Sequence, residues 1–358
     1  MAKRTKEVGY GIIGCGTIAP KHAEAIAGIP KARFVAVADV IEANAQRFAQ
    51  KYDVNAYADF HEMLKKEDIQ AVCLCVPSGM RLPIGLDCIR AGKHVMCEKP
   101  IEVNMKRADK LIAAAKKNGV LLSCIFQNRF LPGPSLTKQA INQGRFGQFV
   151  SCSAHIPWMR PPTYYTSASW RGTLELDGGG ALMNQGIHQV DLVQWFMGPI
   201  SRVFGQTRKR FHQEIEMEDL AGVLLEFENG ALGTIMTTTA TYPGSAVRFE
   251  IYGTKGTVVL EDGKIKLWEF VDYPKHKKID DAIKSEIKEG EGGLGTGSAA
   301  NDPIVALKGE GHRLQLLDFT EAIQSGRQPI VDGKEARKAV AIAQAIYVSA
   351  KLGEPVGL

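Results

Sequence analysis

The sequence predicts a two-domain α/β protein, with a doubly wound parallel sheet at the N-terminus and an α+β domain with a large, mostly antiparallel open sheet after it. A glycine-rich turn follows the first apolar run, and short β-branched runs then alternate with helical patterns up to residue 126. Beyond residue 149, most runs have the character of strands. The 358 residues suit two domains, expected at residues 1–126 and 127–358, with room for the last helix to pack back on the first domain.

The turn after the first strand is the first functional signal. Residues 14–19 read Gly-Cys-Gly-Thr-Ile-Ala, the G-x-G-x-x-A pattern of a dinucleotide-binding turn. Gly14 permits a tight turn, Gly16 lets the backbone approach a pyrophosphate, and Ala19 lets the helix pack closely on the strand. Backbone N–H groups at the helix start and the positive end of its dipole suit the phosphates. The predicted contacts in this turn are Gly14, Gly16, Thr17 and Ile18.

The second strand ends at Asp39, an acidic residue at the position that selects the cofactor. Its carboxylate would accept hydrogen bonds from the adenosine ribose hydroxyls and repel a 2′-phosphate. Val40 and Ile41 follow, where an arginine or serine is expected beside a 2′-phosphate. The order of strand, glycine turn, helix, strand and acidic residue therefore predicts NAD as the cofactor, with NADP less favoured.

The remaining elements of the first domain fit a parallel sheet with crossover helices. The expected strands are Gly9–Ile13, Phe34–Ala38, Asn55–Tyr57, Ala71–Val76, His94–Cys97 and Leu121–Ile125. The expected helices include Ile18–Ala27, Ile41–Lys51, Leu82–Ala91 and Met105–Asn118. Right-handed crossovers would place the C-terminal end of every strand on one edge of the sheet, where ligands bind.

The second domain shows mostly strand patterns, with hairpin turns at Glu228-Asn229-Gly230 and Asp262-Gly263. The expected strands are Phe149–Ile156, Arg202–Thr207, Ala221–Phe227, Ala231–Thr239, Ala246–Tyr252, Gly256–Glu261 and Lys264–Glu269. A buried helix is expected around Ala181–Phe196, a mobile loop at Gly290–Asn301, and two closing helices at Glu310–Gln324 and Lys334–Lys351.

Charge and cysteine usage exclude several classes of protein. The net charge of +5 is spread out, and the basic groups at 208–210 and 275–278 lack interleaved aromatic residues, which predicts solvated loops rather than a nucleic-acid surface. No apolar run approaches the ~20 residues that span a bilayer, and residues 1–7 leave no room for a signal peptide. Seven cysteines without C-x-x-C spacing indicate reduced thiols and no structural zinc. We therefore expect a cytoplasmic protein with a small-molecule substrate and no nucleic-acid or membrane partner.

A first catalytic candidate follows the fifth strand, in Glu98-Lys99-Pro100. This position lies at the sheet edge where a nicotinamide ring is expected, and Pro100 restricts the conformation of Lys99. A lysine held there would hydrogen-bond a substrate oxygen and stabilise the charge that develops on an alkoxide. Glu98-Lys99 by itself indicates a surface ion pair, but its place in the fold favours a catalytic role.

A second candidate follows the run Gly178–Gly180. In a helix, Asn184, His188 and Asp191 fall at i, i+4 and i+7 on one face. An imidazole suits removal of an alcohol proton, Asn184 would bind substrate hydroxyls, and Asp191 would orient the imidazole or a sugar hydroxyl. A lone buried histidine indicates helix capping, but three polar residues on one apolar helix are costly to bury without a purpose. His188 and Asp191 have a ligand spacing without a third or fourth ligand, which predicts no metal site.

As a set, these features resemble the Gfo/Idh/MocA oxidoreductase family, the relatives of glucose–fructose oxidoreductase and inositol 2-dehydrogenase. The match extends over nearly the whole chain and includes Gly14-x-Gly16, Asp39, Ala91–Val95, Glu98-Lys99-Pro100, Gly178–Gly180, His188-x-x-Asp191 and the helix with Phe319, Ala322 and Ile323. The resemblance implies an N-terminal Rossmann domain and a C-terminal substrate-binding and oligomerisation domain with a large antiparallel sheet. It also implies NAD(P)-dependent oxidation or reduction of a sugar, cyclitol or sugar derivative, and homodimers or homotetramers formed across the open sheet face.

The resemblance also implies roles for individual residues. Lys99 would contact both the substrate hydroxyl and the cofactor, and His188 would be the acid/base. Arg171 and Gln127 would lie near the substrate, and Arg129 belongs to the same segment as Gln127. The further positions that the resemblance places along the cofactor are Pro77, Ser78, Glu98, Lys99, Asn128, Trp170 and Arg171.

Two positions depart from the family pattern. Many members carry an aspartate where this chain has Asn184, and a neutral amide cannot accept a proton, so any relay depends on Lys99 and His188. An asparagine at this place resembles the branch that acts on nucleotide-linked amino-sugar uronates. Many members also have a histidine near position 81, where this chain has Arg81, so that contact is not carried over.

Three functions remain open from the sequence. The first is an NAD-dependent dehydrogenase that moves a hydride between nicotinamide and a secondary alcohol or ketone of a sugar, cyclitol or sugar derivative. The second is a redox-neutral sugar-converting enzyme that keeps its NAD bound, for which no NADH would accumulate during turnover. The third is a non-catalytic NAD or sugar sensor, against which the presence of both Lys99 and His188 weighs. The substrate, the carbon oxidised and the direction stay open.

Overall fold

The computed structural model describes residues 7–289 and 310–358, and the loop expected at Gly290–Asn301 lies outside them. Contacts within the chain define two compact units. The N-terminal unit consists of residues 7–127, 175–178 and 310–340, and the C-terminal unit of residues 128–174, 179–289 and 341–358. Among the helices in these residues, none combines the length and the apolar character needed to cross a membrane.

The N-terminal unit is built on a parallel six-stranded sheet in the order β3-β2-β1-β4-β5-β6. Its strands are β1 (Val8–Ile13), β2 (Ala32–Ala38), β3 (Asn55–Tyr57), β4 (Ala71–Leu74), β5 (His94–Cys97) and β6 (Leu122–Cys124). Its helices are α1 (Ala19–Ala27), α2 (Glu42–Tyr52), α3 (Phe60–Leu64), α4 (Arg81–Arg90), α5 (Met105–Asn118) and, near the C-terminus of the chain, α11 (Glu310–Ser325). This strand order is that of the doubly wound dinucleotide-binding fold, and the predicted N-terminal fold class is confirmed.

Local sequence explains how these elements begin, end and pack. The Asn104 side chain accepts the backbone N–H of Arg107 at 3.0 Å and caps the start of α5, which ends at Gly119 with a φ of +67°. β1 is buried along its whole length because helices cover both faces of a parallel sheet. Late in the chain, α11 completes this core, and its Thr320 hydroxyl lies 2.7 Å from the Tyr10 hydroxyl.

The C-terminal unit contains an eight-stranded sheet in the order β13-β12-β11-β7-β10-β9-β8-β14. Its strands are β7 (Phe149–Pro157), β8 (Ile200–Arg208), β9 (Leu220–Phe227), β10 (Leu232–Thr238), β11 (Arg248–Gly253), β12 (Gly256–Glu261), β13 (Lys264–Phe270) and β14 (Val356–Gly357). Its helices are α6 (Pro132–Asn142), α7 (Pro162–Thr166), α8 (Ala181–Asn184), α9 (Ile187–Met197) and α10 (Tyr273–Glu289), and α12 (Gly333–Leu352) contributes residues to both units. All pairs are antiparallel except β7 with β10, so the predicted mostly antiparallel sheet is confirmed.

Two local predictions are wrong. The helix expected at Ala181–Phe196 is divided into α8 and α9 at residues 185–186, where the N–H of Gly186 donates at 2.8 Å to the Ala181 carbonyl, five residues back. The basic run at 275–278 lies in helix α10 rather than in a loop. Tertiary contacts stabilise this helix, since its buried Asp280 side chain accepts hydrogen bonds from Arg145 and from the Trp268 indole at 2.7–3.0 Å.

Candidate functional site

The glycine turn of the N-terminal unit has the shape that a pyrophosphate requires. Gly14 has a φ of +96°, and a Cβ there would lie 2.6 Å from the Cys75 carbonyl oxygen, so only glycine fits. A Cβ at Gly16 would meet no described atom within 4 Å, so the space beside Gly16 is open. Gly16 and Thr17 are exposed, and Ile18 directly precedes α1. The N-terminus of α1 is therefore accessible to an anion.

The Asp39 carboxylate is held against this turn. Its Oδ2 accepts the backbone N–H of Cys15 at 2.8 Å, and its Oδ1 accepts that of Ile41 at 2.9 Å. Burial, and then the negative charge of Asp39, raise the pKa of the Cys15 thiol to about 12, so this thiol stays neutral. Val40 is 90% exposed and presents no positive charge to a 2′-phosphate. The open glycine turn with a fixed carboxylate beside it fits NAD.

The segments after β4 and β5 meet at the same edge of the sheet. Ser78 is buried in a short 3₁₀ helix, Ser78–Met80, directly after Pro77. The buried Arg81 guanidinium donates to the carbonyl oxygen of Pro100 and, at 3.2 Å, to that of Val76. The sequence had marked Arg81 only as a departure, and the structure shows that it ties these two segments together.

Glu98 and Lys99 stand at the carboxyl end of β5. Glu98 is buried, its N–H donates to the Leu74 carbonyl at 3.2 Å, and its Oε2 accepts the Lys99 N–H at 3.1 Å. Lys99 is half-buried and precedes a cis peptide bond to Pro100. The carboxyl edge of a doubly wound sheet is where ligands bind, so Lys99 occupies the position that the sequence predicted within this unit.

The same carboxylate belongs to a cluster that the sequence did not indicate. His22, Glu98 and His312 place three atoms of metal-ligand type within 4.8 Å of one another, and all three residues are buried. They come from α1, the end of β5 and α11, so no local spacing announces them. The two residues with a metal-ligand spacing in the sequence, His188 and Asp191, are not members of this cluster.

In the C-terminal unit, Glu218 and Tyr347 hold the triglycine run in place. A Cβ at Gly180 would lie 1.8 Å from the Glu218 carbonyl oxygen, and one at Gly179 would lie 2.3 Å from the Tyr347 hydroxyl. The Glu218 carboxylate accepts the N–H of Gly180 at 3.2 Å and that of Leu182 at 2.9 Å. The run therefore lets α8 start against a buried carboxylate, upstream of the histidine candidate.

Asn184 and His188 lie on successive short helices. Asn184 is the last residue of α8 and half-buried, whereas His188 lies in the first turn of α9 and is 5% exposed. Gly186 separates them, and its N–H donates to the Ala181 carbonyl at 2.8 Å. Because the predicted helix is divided between them, the i, i+4 spacing does not show whether the side chains of Asn184 and His188 lie on the same side.

Asp191 has a partner that the sequence did not foresee. Its two carboxylate oxygens accept hydrogen bonds from Nε and Nη2 of Arg129 at 2.7 and 2.6 Å, and both side chains are at most 2% exposed. The Arg129 guanidinium also lies 5.2 Å from the Trp195 ring centre. This bidentate pair occupies both oxygens of the carboxylate, so a role for Asp191 toward a sugar or the imidazole stays a prediction.

Arg171 lies among aromatic rings. Its guanidinium carbon is 4.1 Å from the ring centre of Tyr164 and 5.0 Å from that of Trp170, and Arg160 stands 5.0 Å from the same Tyr164 ring. The buried Arg171 Nε has no hydrogen-bond partner among the described residues. Two guanidinium groups around one tyrosine form a positive region that suits an anionic ligand.

Gln127 and Asn128 are buried, and each has a side-chain oxygen without a hydrogen-bond partner among the described residues. Asn128 lines a cavity of about 20 Å³ in the C-terminal unit together with Gln189. A cavity of this size has room for one water molecule. The Gln127 oxygen lies in the N-terminal unit.

Comparison with known families identifies both parts of the chain. Residues 8–126 match an oxidoreductase family with an NAD-binding Rossmann fold, and residues 136–259 match the GFO/IDH/MocA C-terminal domain. Myo-inositol 2-dehydrogenase of Thermotoga maritima is 30% identical over 83% of this chain and 92% of its own length. The chain belongs to the Gfo/Idh/MocA family of oxidoreductases. The predicted family, the NAD cofactor and the assignment as an NAD-dependent oxidoreductase are confirmed.

Two solved structures are similar to this Gfo/Idh/MocA protein along the whole chain. The WlbA dehydrogenase of Bordetella pertussis, in complex with NADH and UDP-GlcNAcA, is 31% identical, with a TM-score of 0.88 over 99% of this chain and 98% of that one. The Chromobacterium violaceum WlbA dehydrogenase, with the same two ligands, is 30% identical, with a TM-score of 0.86 over 99% of this chain and 97% of that one.

Proposed function

We propose that this oxidoreductase acts with NAD on a secondary alcohol of a nucleotide-linked N-acetylamino-sugar uronate, with UDP-GlcNAcA as the representative substrate. The observation that supports this most is the similarity, along the whole chain, to two dehydrogenases crystallised with NADH and UDP-GlcNAcA. The positive region formed by Arg160 and Arg171 around Tyr164 adds a physical reason, because this substrate carries a carboxylate and a diphosphate.

In this proposal Lys99 and His188 carry the chemistry. His188 removes the hydroxyl proton as the general base, and the Lys99 ammonium stabilises the alkoxide that forms. Bound NAD supplies the acceptor for the hydride that leaves the carbinol carbon. Asn184, a neutral amide, donates or accepts hydrogen bonds with sugar hydroxyls and takes no proton.

Within the N-terminal unit, the proposed cofactor contacts follow the carboxyl edge of the sheet. Backbone groups of the glycine turn bind the pyrophosphate, and Asp39 binds the adenosine ribose. The remaining proposed contacts are Pro77, Ser78, Glu98, Asn128 and Trp170 for the cofactor, and Gln127, Arg171 and Asp191 for the substrate. The C-terminal unit is accordingly the proposed substrate-binding part of the chain.

The test is turnover of a set of substrates that differ by one group. Purified protein with NAD is given UDP-GlcNAcA, UDP-GlcNAc without the carboxylate, UDP-glucuronate without the acetamido group, and myo-inositol, while the absorbance of reduced nicotinamide is followed. Turnover should be fastest with UDP-GlcNAcA and should fall when either group is missing. Faster turnover of myo-inositol would overturn the substrate assignment. Product formation without accumulation of NADH would show that the reaction is the redox-neutral conversion with retained NAD and not a net oxidation.

We also propose that two copies associate across the exposed face of the C-terminal sheet. The Val150, Leu224, Leu232 and Met236 side chains are 44–53% exposed, although all four belong to strands of this sheet. Leu224 and Met236 occupy the same face, since Leu224 pairs with Thr234, two residues before Met236. A second copy would cover this apolar face. Sedimentation of the wild type and of Leu224→Glu tests this, and a monomeric wild type contradicts it.

A reducing compartment, the cytoplasm, is part of the same proposal. All seven cysteines are free thiols, and all except Cys15 are buried. Free buried cysteines are typical of proteins kept under reducing conditions. Quantifying thiols in the denatured protein, purified without reductant, should recover all seven, and a deficit of two or more would contradict the proposal.

A further inference from the structure

We infer that His22 and His312 are positioning residues for Lys99 and act through the Glu98 carboxylate. The inference rests on the catalytic role proposed for Lys99. It concerns three polar side chains that are 0–5% exposed inside the N-terminal unit. Neither histidine has a part in the proposed chemistry, and burying two imidazoles beside a carboxylate needs a reason.

The geometry joins the two histidines to the backbone of Lys99. Nε2 of His22 lies 2.8 Å from Glu98 Oε1, and Nε2 of His312 lies 3.6 Å from the same oxygen. The imidazole rings meet edge to face, with centres 5.6 Å apart. The other carboxylate oxygen, Oε2, accepts the backbone N–H of Lys99 at 3.1 Å. One carboxylate therefore connects two helices to the backbone from which the Lys99 side chain leaves.

The charges within the cluster are compatible with this role. Burial alone would raise the pKa of Glu98, but the hydrogen bond with His22 and the nearby His312 imidazole outweigh burial and hold that pKa well below its usual range. Burial lowers the pKa of His312, which stays neutral. Glu98 is thus an ionised carboxylate, and His22 carries the compensating proton. Because an apolar cluster would fill this space equally well, a buried ion pair here indicates a role other than stability.

A metal ion is the alternative occupant of such a donor set, since two imidazoles and a carboxylate suit zinc. Two ligand atoms on a tetrahedral zinc, each ~2 Å from the metal, lie about 3.3 Å apart. His22 Nε2 and Glu98 Oε1 are 2.8 Å apart, which is the length of a charge-assisted hydrogen bond instead. The geometry favours a shared proton between these two atoms.

A double-mutant cycle tests the inference. The variants are His22→Gln, Glu98→Gln and the double variant, and kcat, KM and the Kd for NADH are measured for each. His22→Gln leaves the Glu98 carboxylate without its countercharge, so kcat should fall about tenfold or more while KM and Kd change by less than about threefold. Glu98→Gln keeps an acceptor for the Lys99 N–H and should be milder. The double variant should return to the level of Glu98→Gln, because two amides need no countercharge.

Three further variants make every outcome informative. His61→Gln, on an exposed histidine, is the matched control and should leave kcat unchanged. His312→Gln decides the question if His22→Gln does not fold, and a wild-type kcat there overturns the inference. Lys99→Met separates the two proposals: if Lys99→Met keeps turnover, the proposed function fails. If Lys99→Met abolishes turnover while His22→Gln keeps it, only the positioning role fails.

Additive losses in the double variant would also overturn the inference, because independent packing effects add. Metal analysis of the purified wild type completes the test. If the wild type holds one equivalent of a transition metal and His22→Gln holds none, the cluster is a metal site and not a shared proton. We expect less than a tenth of an equivalent in both proteins, on the order of the background for a protein without a site.

Discussion

The Tyr347 hydroxyl donates a hydrogen bond to Glu218 Oε1 at 3.0 Å and thereby joins helix α12 to the start of the segment that carries His188. The same carboxylate accepts backbone N–H groups of Gly180 and Leu182. Despite these three donors, burial raises the pKa of Glu218 to about 7. A carboxylate that titrates near neutral pH thus lies at the start of α8, upstream of the proposed general base in the chain.

This pKa predicts a pH-dependent stability. Between its ordinary value of 4.5 and about 7, Glu218 is protonated in the folded protein and ionised in the unfolded chain. The folded state therefore binds the extra proton, and its stability falls as pH rises through this window, by about 3 kcal/mol in total. Glu218→Gln should remove this decline. Thermal unfolding at pH 5 and pH 8 measures it, with Glu62→Gln, an exposed glutamate, as the control. Equal slopes for wild type and Glu218→Gln would contradict the prediction.

The catalytic assignment predicts that Lys99→Ala and His188→Ala lose turnover but keep NAD. Removal of a general base or of the group that stabilises the alkoxide should lower kcat by ~10²–10⁴-fold. Titration of tryptophan fluorescence with NADH should give a Kd close to that of the wild type, because the glycine turn is intact. Lys65→Ala and His61→Ala, on exposed side chains, are the matched controls. Wild-type kcat values for both Lys99→Ala and His188→Ala would refute the assignment.

The two glycines of the turn should fail in different ways. Gly16→Ala adds a Cβ that meets no described atom within 4 Å, so the melting temperature should stay within about 2 °C of the wild type. The methyl group enters the space proposed for the pyrophosphate, and the Kd for NADH should rise at least tenfold, about 1.4 kcal/mol.

Gly14→Ala, in contrast, must place its Cβ 2.6 Å from the Cys75 carbonyl oxygen at a φ of +96°. It should destabilise the N-terminal unit by ~1–3 kcal/mol and lower the melting temperature. Unchanged NADH binding by Gly16→Ala, or unchanged melting of Gly14→Ala, would contradict this use of the turn.

Asp39→Asn should relax the preference for NAD. The amide oxygen can accept only one of the backbone N–H groups of Cys15 and Ile41, and the substitution removes the charge that repels a 2′-phosphate. The ratio of kcat/KM for NAD over NADP should fall about tenfold, the effect of one removed charge at partly exposed positions. Asp59→Asn, on an exposed carboxylate of the same unit, serves as the control. If the ratio of kcat/KM for NAD over NADP stays at the wild-type value, Asp39 does not discriminate between the two cofactors at the adenosine ribose.

Local pattern is what made the N-terminal fold and its cofactor predictable. The glycine turn, Asp39 and Lys99 each lie within two residues of the end of a strand, and the ends of parallel strands share one edge of the sheet. Their place in the fold can therefore be predicted from local sequence alone, without knowledge of contacts between distant segments. The bounds predicted for helix α5 agree with the observed ones, since Gly119 signals its end, and the structure adds a cap by the Asn104 side chain at its start.

Contacts between distant segments could not be predicted in this way. His22 and His312 meet on Glu98 although they are far apart in the chain, and no periodicity connects them. The Arg81 contacts with Val76 and Pro100 require the segments after β4 and β5 to lie close together, and the local sequence pattern does not specify how these segments approach each other.

Helix α10 was missed for a different reason. Its basic run was judged by charge alone, whereas Ile279, Ile283 and Ile287 recur every four residues. Ile283 is 5% exposed, as expected for the apolar side of a helix, although Ile279 at the same spacing is 44% exposed.

The pair of Arg129 and Asp191 allows a structural role to be separated from a role in substrate binding. Asp191→Asn leaves the buried Arg129 guanidinium without its countercharge, and breaking a buried pair costs ~3–5 kcal/mol. We therefore expect the melting temperature to fall by several degrees. Arg129→Met combined with Asp191→Leu removes both charges and should recover much of this stability, because apolar residues replace a buried pair well. If Asp191 also binds a sugar hydroxyl, the double variant should melt like the wild type yet show a KM raised about tenfold. A wild-type KM in a stable double variant would leave Asp191 with the structural role alone and remove it from the substrate contacts.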